Sequence, residues 1–143
     1  MVAITIPHLE SNHVFRCFKV TKRFDQDISS VMGAFRFAVN ADGLITEVRL
    51  AYGGMAAVPK RATNAEQALT GQQLRDPKAW ARAFAALRED FTPIDDHRAS
   101  ARYRIEKAHS LLGKALIEAA GTATSRTRVV GRRERDEANA AAV

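Results

Sequence analysis

Few residues in this chain have the type and spacing to do chemistry. Cys17 is the sole cysteine, so it cannot close an internal disulfide or build a thiolate-only metal site. It alternates with Phe15 and Phe18 in an extended run, which predicts a buried, inert thiol. His8, His13, His97 and His109 are scattered, and neither HExxH nor CxxC occurs. No metal site is expected. Asp25 and Asp27 stand two apart in a charged stretch, and Asp95 and Asp96 are adjacent before a helical pattern. Capping and surface balance are their expected roles. Gly53-Gly54 is no nucleotide fingerprint, since GxGxxG and GxxxxGK[ST] are both absent. The pair predicts a bend or a close approach by another backbone. Lys19 is the most suggestive residue. A lysine at a strand end, just before a polar loop, can meet an anionic or electron-rich ligand.

These residues need elements to position them. Val2 to Pro7 reads as a short strand stopped by proline. Val14 to Thr21 alternates, with Phe18 and Val20 on one face and Cys17 and Lys19 on the other. Residues 22–28 read as a loop or one short helical turn. Phe35, Phe37 and Val39 share a strand face, and Asn40-Ala41-Asp42-Gly43 predicts a hairpin turn. The return strand places Leu44, Thr46, Val48, Leu50 and Tyr52 together, with Glu47 and Arg49 opposite. Pro59 to Ala62 is extended and can add a strand.

Thr63 to Leu69 fits a short helix, with Thr63 and Glu66 spaced as a capping box. Asp76-Pro77 predicts an N-cap and first helical position, followed by a stripe of Trp80, Phe84, Leu87 and Phe91. Thr92-Pro93 ends that helix. A long helix starts near Asp96 to Ser100 and reaches about Ala120, with a stripe of Ala101, Ile105, Ala108, Leu112, Ala115 and Ala119. From Gly121 onward no period is visible, and a flexible tail is expected. The expected fold class is α+β: an antiparallel sheet of about three strands against about three helices.

The bulk numbers bound the function. The chain has 143 residues, 46% hydrophobic and 27% charged, which suits one ordinary domain. That is short for an enzyme holding a large cofactor and a substrate. No basic leader with an apolar run opens it, and no run approaches a membrane span, so a cytoplasmic location is expected. The net charge of +6 is spread along the chain without interleaved aromatics. That argues against nucleic acid and leaves an acidic partner, an anionic cofactor or solubility alone as readings of the charge.

Three segments carry a resemblance. They are Phe15-Arg16-Cys17-Phe18-Lys19-Val20-Thr21-Lys22-Arg23-Phe24-Asp25-Gln26-Asp27-Ile28-Ser29, then Ala51-Tyr52-Gly53-Gly54-Met55-Ala56-Ala57-Val58-Pro59-Lys60-Arg61-Ala62, then Asp90-Phe91-Thr92-Pro93-Ile94-Asp95-Asp96-His97-Arg98-Ala99-Ser100-Ala101-Arg102-Tyr103-Arg104. In this order they resemble the C-terminal domain of the FAD subunit of bacterial xanthine dehydrogenases. More broadly, the chain is similar to molybdenum hydroxylase flavoproteins, including the medium subunit of carbon monoxide dehydrogenase. The family usually carries glycine where Ala99 stands.

The resemblance implies a domain plan. Residues 1–13 would be the closing strand of an upstream FAD-binding domain, 14–120 the α+β domain and 121–143 a tail. It implies that Lys19 lies near the flavin ring system, and that Arg23, Asp25 and Asp27 form the adjacent loop, which influences NAD access. Gly53 and Gly54 would pack against neighbouring domains. FAD would be held mainly by glycine-rich loops upstream, so this chain alone is expected to be inactive and to bind FAD weakly or not at all. The intact complex would also carry [2Fe–2S] clusters and a molybdenum cofactor. Its partners would be the upstream FAD-binding domain, an iron–sulfur domain and a molybdopterin-binding subunit. A non-catalytic alternative is a stand-alone interaction or assembly module that binds a partner subunit through the surface those domains would cover, a surface that could also let it dimerise.

Overall fold

A computed structural model describes residues 3–6, 8–23 and 27–122. Four strands and three helices follow in the order β1 (His13–Val20), β2 (Val31–Val39), β3 (Ile45–Gly53), β4 (Lys60–Arg61), α1 (Thr63–Leu69), α2 (Pro77–Asp90) and α3 (Ala101–Ala119). The sheet order is β1-β2-β3-β4, antiparallel throughout. The fold is the α+β class read from the sequence, with Lys60–Arg61 as the short fourth strand. Of the strand expected at Val2 to Pro7, the described residues 3–6 are not in a strand and lie exposed, Ile4 and Ile6 included, while Val2 and Pro7 fall outside the described residues.

Alternation in β2 and β3 decides which face is covered. Phe35 and Phe37 of β2 and Val48, Leu50 and Tyr52 of β3 point to the helices and are buried. An aromatic row, Phe18, Phe35, Tyr52 and Phe91, crosses this face with centroids 6.3, 5.4 and 5.4 Å apart. The Tyr52 hydroxyl donates to the Ala108 carbonyl at 3.1 Å and ties sheet to α3. Among the described residues no helix covers the other face, and Phe15, Cys17, Lys19 and Met32 are exposed there. The thiol expected to be buried is therefore at the surface. Phe18 and Val20 turn inward, as the alternation indicates, and Cys17 falls on the other parity.

The start of β3 departs from simple alternation. Ala38 pairs with Glu47, whereas Val39 pairs with Ile45, so Thr46 is an extra residue. Such a bulge inverts the parity on either side of it. Ile45 is buried and Thr46 exposed, the reverse of the expected row. The preceding turn is as expected. Gly43 has φ 79°, and Asn40 Oδ1 accepts from the Asp42 and Leu44 amides at 3.1 and 2.9 Å.

The helices form where predicted, but two faces rotate. In α2 the innermost residues are Ala79, Ala83, Leu87 and Asp90, while Trp80 and Phe84 flank them half-buried. In α3 they are Arg104, Ala108, Leu111, Leu112, Ala115 and Leu116, so Ala101 and Ile105 sit at the edge. Small alanines let the helices approach, and larger side chains wrap the seam. Asp76 caps α2 through the Lys78 amide at 2.9 Å, with Pro77 at the first position.

The capping box of α1 does not form. Ala62 is its N-cap and makes no side-chain bond. Glu66 turns away, accepts the Leu50 amide at 2.8 Å and pairs with Arg61. The first α1 amides go instead to Asp90 from the end of α2. Its carboxylate accepts Asn64 N at 2.9 Å and Ala65 N at 3.1 Å. A buried carboxylate at a helix N-terminus is favourable because free amides and the helix dipole meet its charge there.

Candidate functional site

Three loops meet at the end of the sheet where β1 stops. They are the β1–β2 loop (21–30), the β3–β4 loop (54–59) and the α2–α3 loop (91–100). Arg104, near the start of α3, holds them together. Its Nη1 donates to the Ser30 carbonyl at 2.5 Å and the Gly54 carbonyl at 2.8 Å, and its Nη2 to Asp96 Oδ1 at 2.7 Å. The side chain is buried, and its Nε has no hydrogen-bond partner among the described residues. A guanidinium suits this place because a planar fork of donors can face several carbonyls at once.

The third loop is itself tightly organised. Asp96 accepts the Arg98 and Ala99 amides at 2.9 and 3.0 Å, Asp95 accepts Ala101 N at 2.6 Å, and Ser100 caps α3 through Tyr103 N. The bonds from Ala99, Arg98 and Arg104 hold the Asp96 carboxyl down at about 2. The capping role expected of Asp95 and Asp96 is the one observed. Gly54 also behaves as predicted. It has φ +80°, and a Cβ there would stand 2.4 Å from the Ser30 carbonyl oxygen. Backbone approach requires this glycine; Gly53 has no such constraint.

The sequence-predicted site residues lie beside this junction. Lys19 is exposed at the end of β1, paired across the sheet with Met32. Arg23 donates through its amide to Asp27 Oδ2 at 3.1 Å and through Nη2 to Oδ1 at 3.4 Å. This hydrogen bonding from Arg23 holds the Asp27 carboxyl below its ordinary value. Asp25 falls outside the described residues. Lys22 donates to the His97 carbonyl at 2.8 Å and links the first loop to the third.

The concave surface itself lies between the loops. A half-open cleft of about 380 Å³ is lined by Ile28, Met32, Met55, Ile94, Arg98 and Arg104, among others. Arg98 also lines two adjoining clefts, one with Lys22, Arg23 and Asp27 and one with Tyr103. Sequence reasoning missed Arg98 and Arg104 as site residues. Arg104 had one usable signal, since it falls on the inward side of a helix otherwise lined by alanine and leucine. Among the described residues no three His, Cys, Asp or Glu side chains gather as a metal site.

The cleft and its rim suit one edge of a large anionic cofactor. Lys19, Lys22, Arg23 and Arg98 supply positive charge, and the aliphatic residues an apolar surface. The space is too small and open to bury most of a dinucleotide, as ligand sites ordinarily do.

Residues 16–119 match the CO dehydrogenase flavoprotein C-terminal domain. The chain belongs to this family. Among curated relatives it is 38% identical over 82 residues to xanthine dehydrogenase of Emericella nidulans, covering 57% of this chain and 6% of that protein. It is 32% identical over 92 residues to nicotinate hydroxylase of the same organism, covering 63% and 7%. Among solved structures, carbon monoxide dehydrogenase from Hydrogenophaga pseudoflava aligns with TM-score 0.73 at 23% identity, over 81% of this chain and 39% of that one. Quinoline 2-oxidoreductase from Pseudomonas putida 86 aligns with TM-score 0.65 at 22% identity, over 78% and 38%. The structural likenesses establish the fold. The chain spans under a tenth of these curated relatives and about two fifths of the solved chains. No described helix is long and apolar enough to cross a membrane.

Proposed function

We propose that this domain forms one wall of the flavin site in a molybdenum hydroxylase of the xanthine dehydrogenase kind. The observation that carries the reading is the family match over 16–119, whose relatives include a xanthine dehydrogenase and a nicotinate hydroxylase. Lys19, Arg23, Asp25 and Asp27 are the residues assigned to the flavin edge. An exposed lysine at the strand end would favour electron density on the ring, because its charge has no competing carboxylate partner among the described residues. Arg23 and Asp27 hydrogen-bond to each other at the β1–β2 connection.

FAD, when bound, supplies the exchange between one-electron iron–sulfur chemistry and two-electron transfer to NAD. This chain's own contribution is positional: it places cations at one edge and closes one side to water. Residues 1–13 would complete an upstream FAD-binding domain, which supports the assignment because Ile4, Ile6 and Leu9 lie exposed in an unpaired segment. Residues 14–120 would form the flavoprotein domain; nearly all of the expected tail, 121–143, lies outside the described residues. The remaining partners are an iron–sulfur domain and a molybdopterin-binding subunit carrying the molybdenum cofactor. The setting is cytoplasmic, in purine or related heterocycle metabolism.

Titrating the 143-residue chain with FAD tests the reading. Weak or absent binding is expected, and a sub-micromolar Kd would overturn the one-wall assignment. Adding a relative's upstream flavin-binding segment should restore binding. A Lys19→Ala chain should then shift the flavin potential downward, and an unchanged potential would remove Lys19 from the site.

A further inference from the structure

The two edges of the sheet are unlike. One edge is the two residues of β4, whereas the other is the full eight residues of β1. β1 pairs with β2 without a bulge, from His13 opposite Ala38 to Val20 opposite Val31. A long regular edge templates a further strand, and sheets commonly blunt it with proline, a bulge or a charge turned inward. β1 has neither proline nor bulge, and its helix-side charge, Arg16, is tied to Glu118 at 2.7 Å. Two bonds fix the direction of its backbone groups. The Asn12 carbonyl accepts Val39 N at 3.1 Å, and the Val20 carbonyl accepts Ser30 N at 2.8 Å. Even-numbered residues therefore turn their amides and carbonyls to β2, and Phe15, Cys17 and Lys19 turn theirs outward from the edge. The Phe15 carbonyl accepts Arg16 Nη1 at 2.8 Å and keeps a second lone pair.

We propose that β1 pairs antiparallel with β1 of a second copy of this chain, about a two-fold axis at Cys17, so that two four-stranded sheets become one. Overlap and charge set this register. Centred on Cys17, the strands overlap from Val14 to Val20. Val14 faces Val20, Phe15 faces Lys19 and Arg16 faces Phe18 of the other copy. Each Lys19 then meets an exposed Phe15 ring, a favourable cation–aromatic contact that symmetry makes twice. A centre at Arg16 would set like charges directly opposite each other. A centre at Phe18 would cut the overlap to Arg16–Val20 and lose both Phe15–Lys19 contacts. In the chosen register Phe15, Cys17 and Lys19 exchange about six backbone hydrogen bonds with the other copy. A second copy is the fitting occupant because a two-fold contact demands self-complementarity, and this strand supplies it. α3 reaches β1 through long side chains, Glu118 to Arg16 and Lys114 4.6 Å over the Phe18 ring, so the helix stands back from the edge. Edge pairing also leaves the outer face, Cys17 included, open to reagents. The inference rests on the geometry of β1 and is independent of the flavin role of Lys19.

Sedimentation equilibrium of the 143-residue chain from about 1 to 100 μM is the test, a span suited to a small interface. The mass should rise from monomer to dimer. Phe15→Lys, altered at a side chain standing in solvent, sets lysines opposite each other at both contacts and should weaken the dimer about tenfold or more. Adding Lys19→Glu to Phe15→Lys makes those pairs opposite in charge and should recover the dimer. A short bismaleimide should join Cys17 to Cys17 in the parent, and much less in Phe15→Lys at equal concentration. Circular dichroism melts matching the parent will show that the variants fold; if one melts early, the Cys17 crosslink in the parent decides. A chain that stays monomeric throughout overturns the proposal. So does a dimer that Phe15→Lys leaves unchanged, one that the double variant fails to restore, or one in which Cys17 does not crosslink.

Discussion

Arg104 and Asp96 meet at 2.7 Å with unequal exposure: the cation is 4% exposed and the anion 25%. The arrangement follows from their chemistry. Arginine does not lose its proton in a protein, so a buried one needs acceptors on several sides. Two backbone carbonyls and one carboxylate provide them, and each comes from a different loop. Arg104 is thus the side chain that ties all three loops, and Lys22 adds a second link between the first and the third.

Replacing that side chain should loosen all three loops together. Arg104→Lys cannot reach the three acceptors at once and should cost about 2 kcal/mol. Arg104→Ala, which also strands the buried Ser30 carbonyl, should cost about 3–4 kcal/mol. Urea denaturation of each variant measures this. A loss below about 0.5 kcal/mol for Arg104→Ala would show that the loops hold without it.

Asp96 makes stability depend on acid. Its carboxyl titrates near 2 in the fold against 3.8 ordinarily, chiefly through the Ala99 and Arg98 amides, then Arg104. A depressed folded value stabilises the fold above the unfolded value, and this contribution fades as pH falls from about 4 towards 2. Asp96→Asn should therefore be less stable than the parent at pH 6, with the gap narrowing through that window. Urea midpoints measured from pH 6 to pH 2 check it; a constant gap would mean that Asp96 acts by shape alone.

Asp90 is the long-range cap of α1. Asp90→Ala removes both acceptors from the Asn64 and Ala65 amides and should cost about 1–3 kcal/mol. Asp90→Asn keeps one acceptor and should cost less. Hydrogen exchange would locate the effect: the Asn64 and Ala65 amides should lose protection first. Uniform loss across the sheet would instead assign Asp90 a general packing role.

Cys17 lies on the uncovered sheet face. A thiol reagent such as dithiobis-nitrobenzoate should titrate one thiol per native chain without denaturant. Reaction only after unfolding would mean that another surface covers that face in solution, as in a self-associated chain, and light scattering would separate the two states.

Local pattern carried much of the architecture. The Asn40 to Gly43 turn, the Asp76-Pro77 start and the Thr92-Pro93 stop each act through neighbours along the chain, and each was readable. So was the need for Gly54. Parity failed at Thr46, because one inserted residue in β3 reverses the faces without leaving a mark in composition. The capping box failed because Glu66 found a strand amide and an arginine, an option that local spacing does not reveal.

By itself the sequence determined the order and period of the elements, and three motifs that place the chain in its family. Those are properties of residues close together, where backbone preference and alternation dominate. Only the tertiary structure decided that Asp90 caps α1, that Arg104 is buried, and that Arg98 borders three adjoining clefts. Each depends on groups from distant segments arriving in one place. Burial then fixes which hydrogen bonds must form, because a buried polar group without a partner is costly.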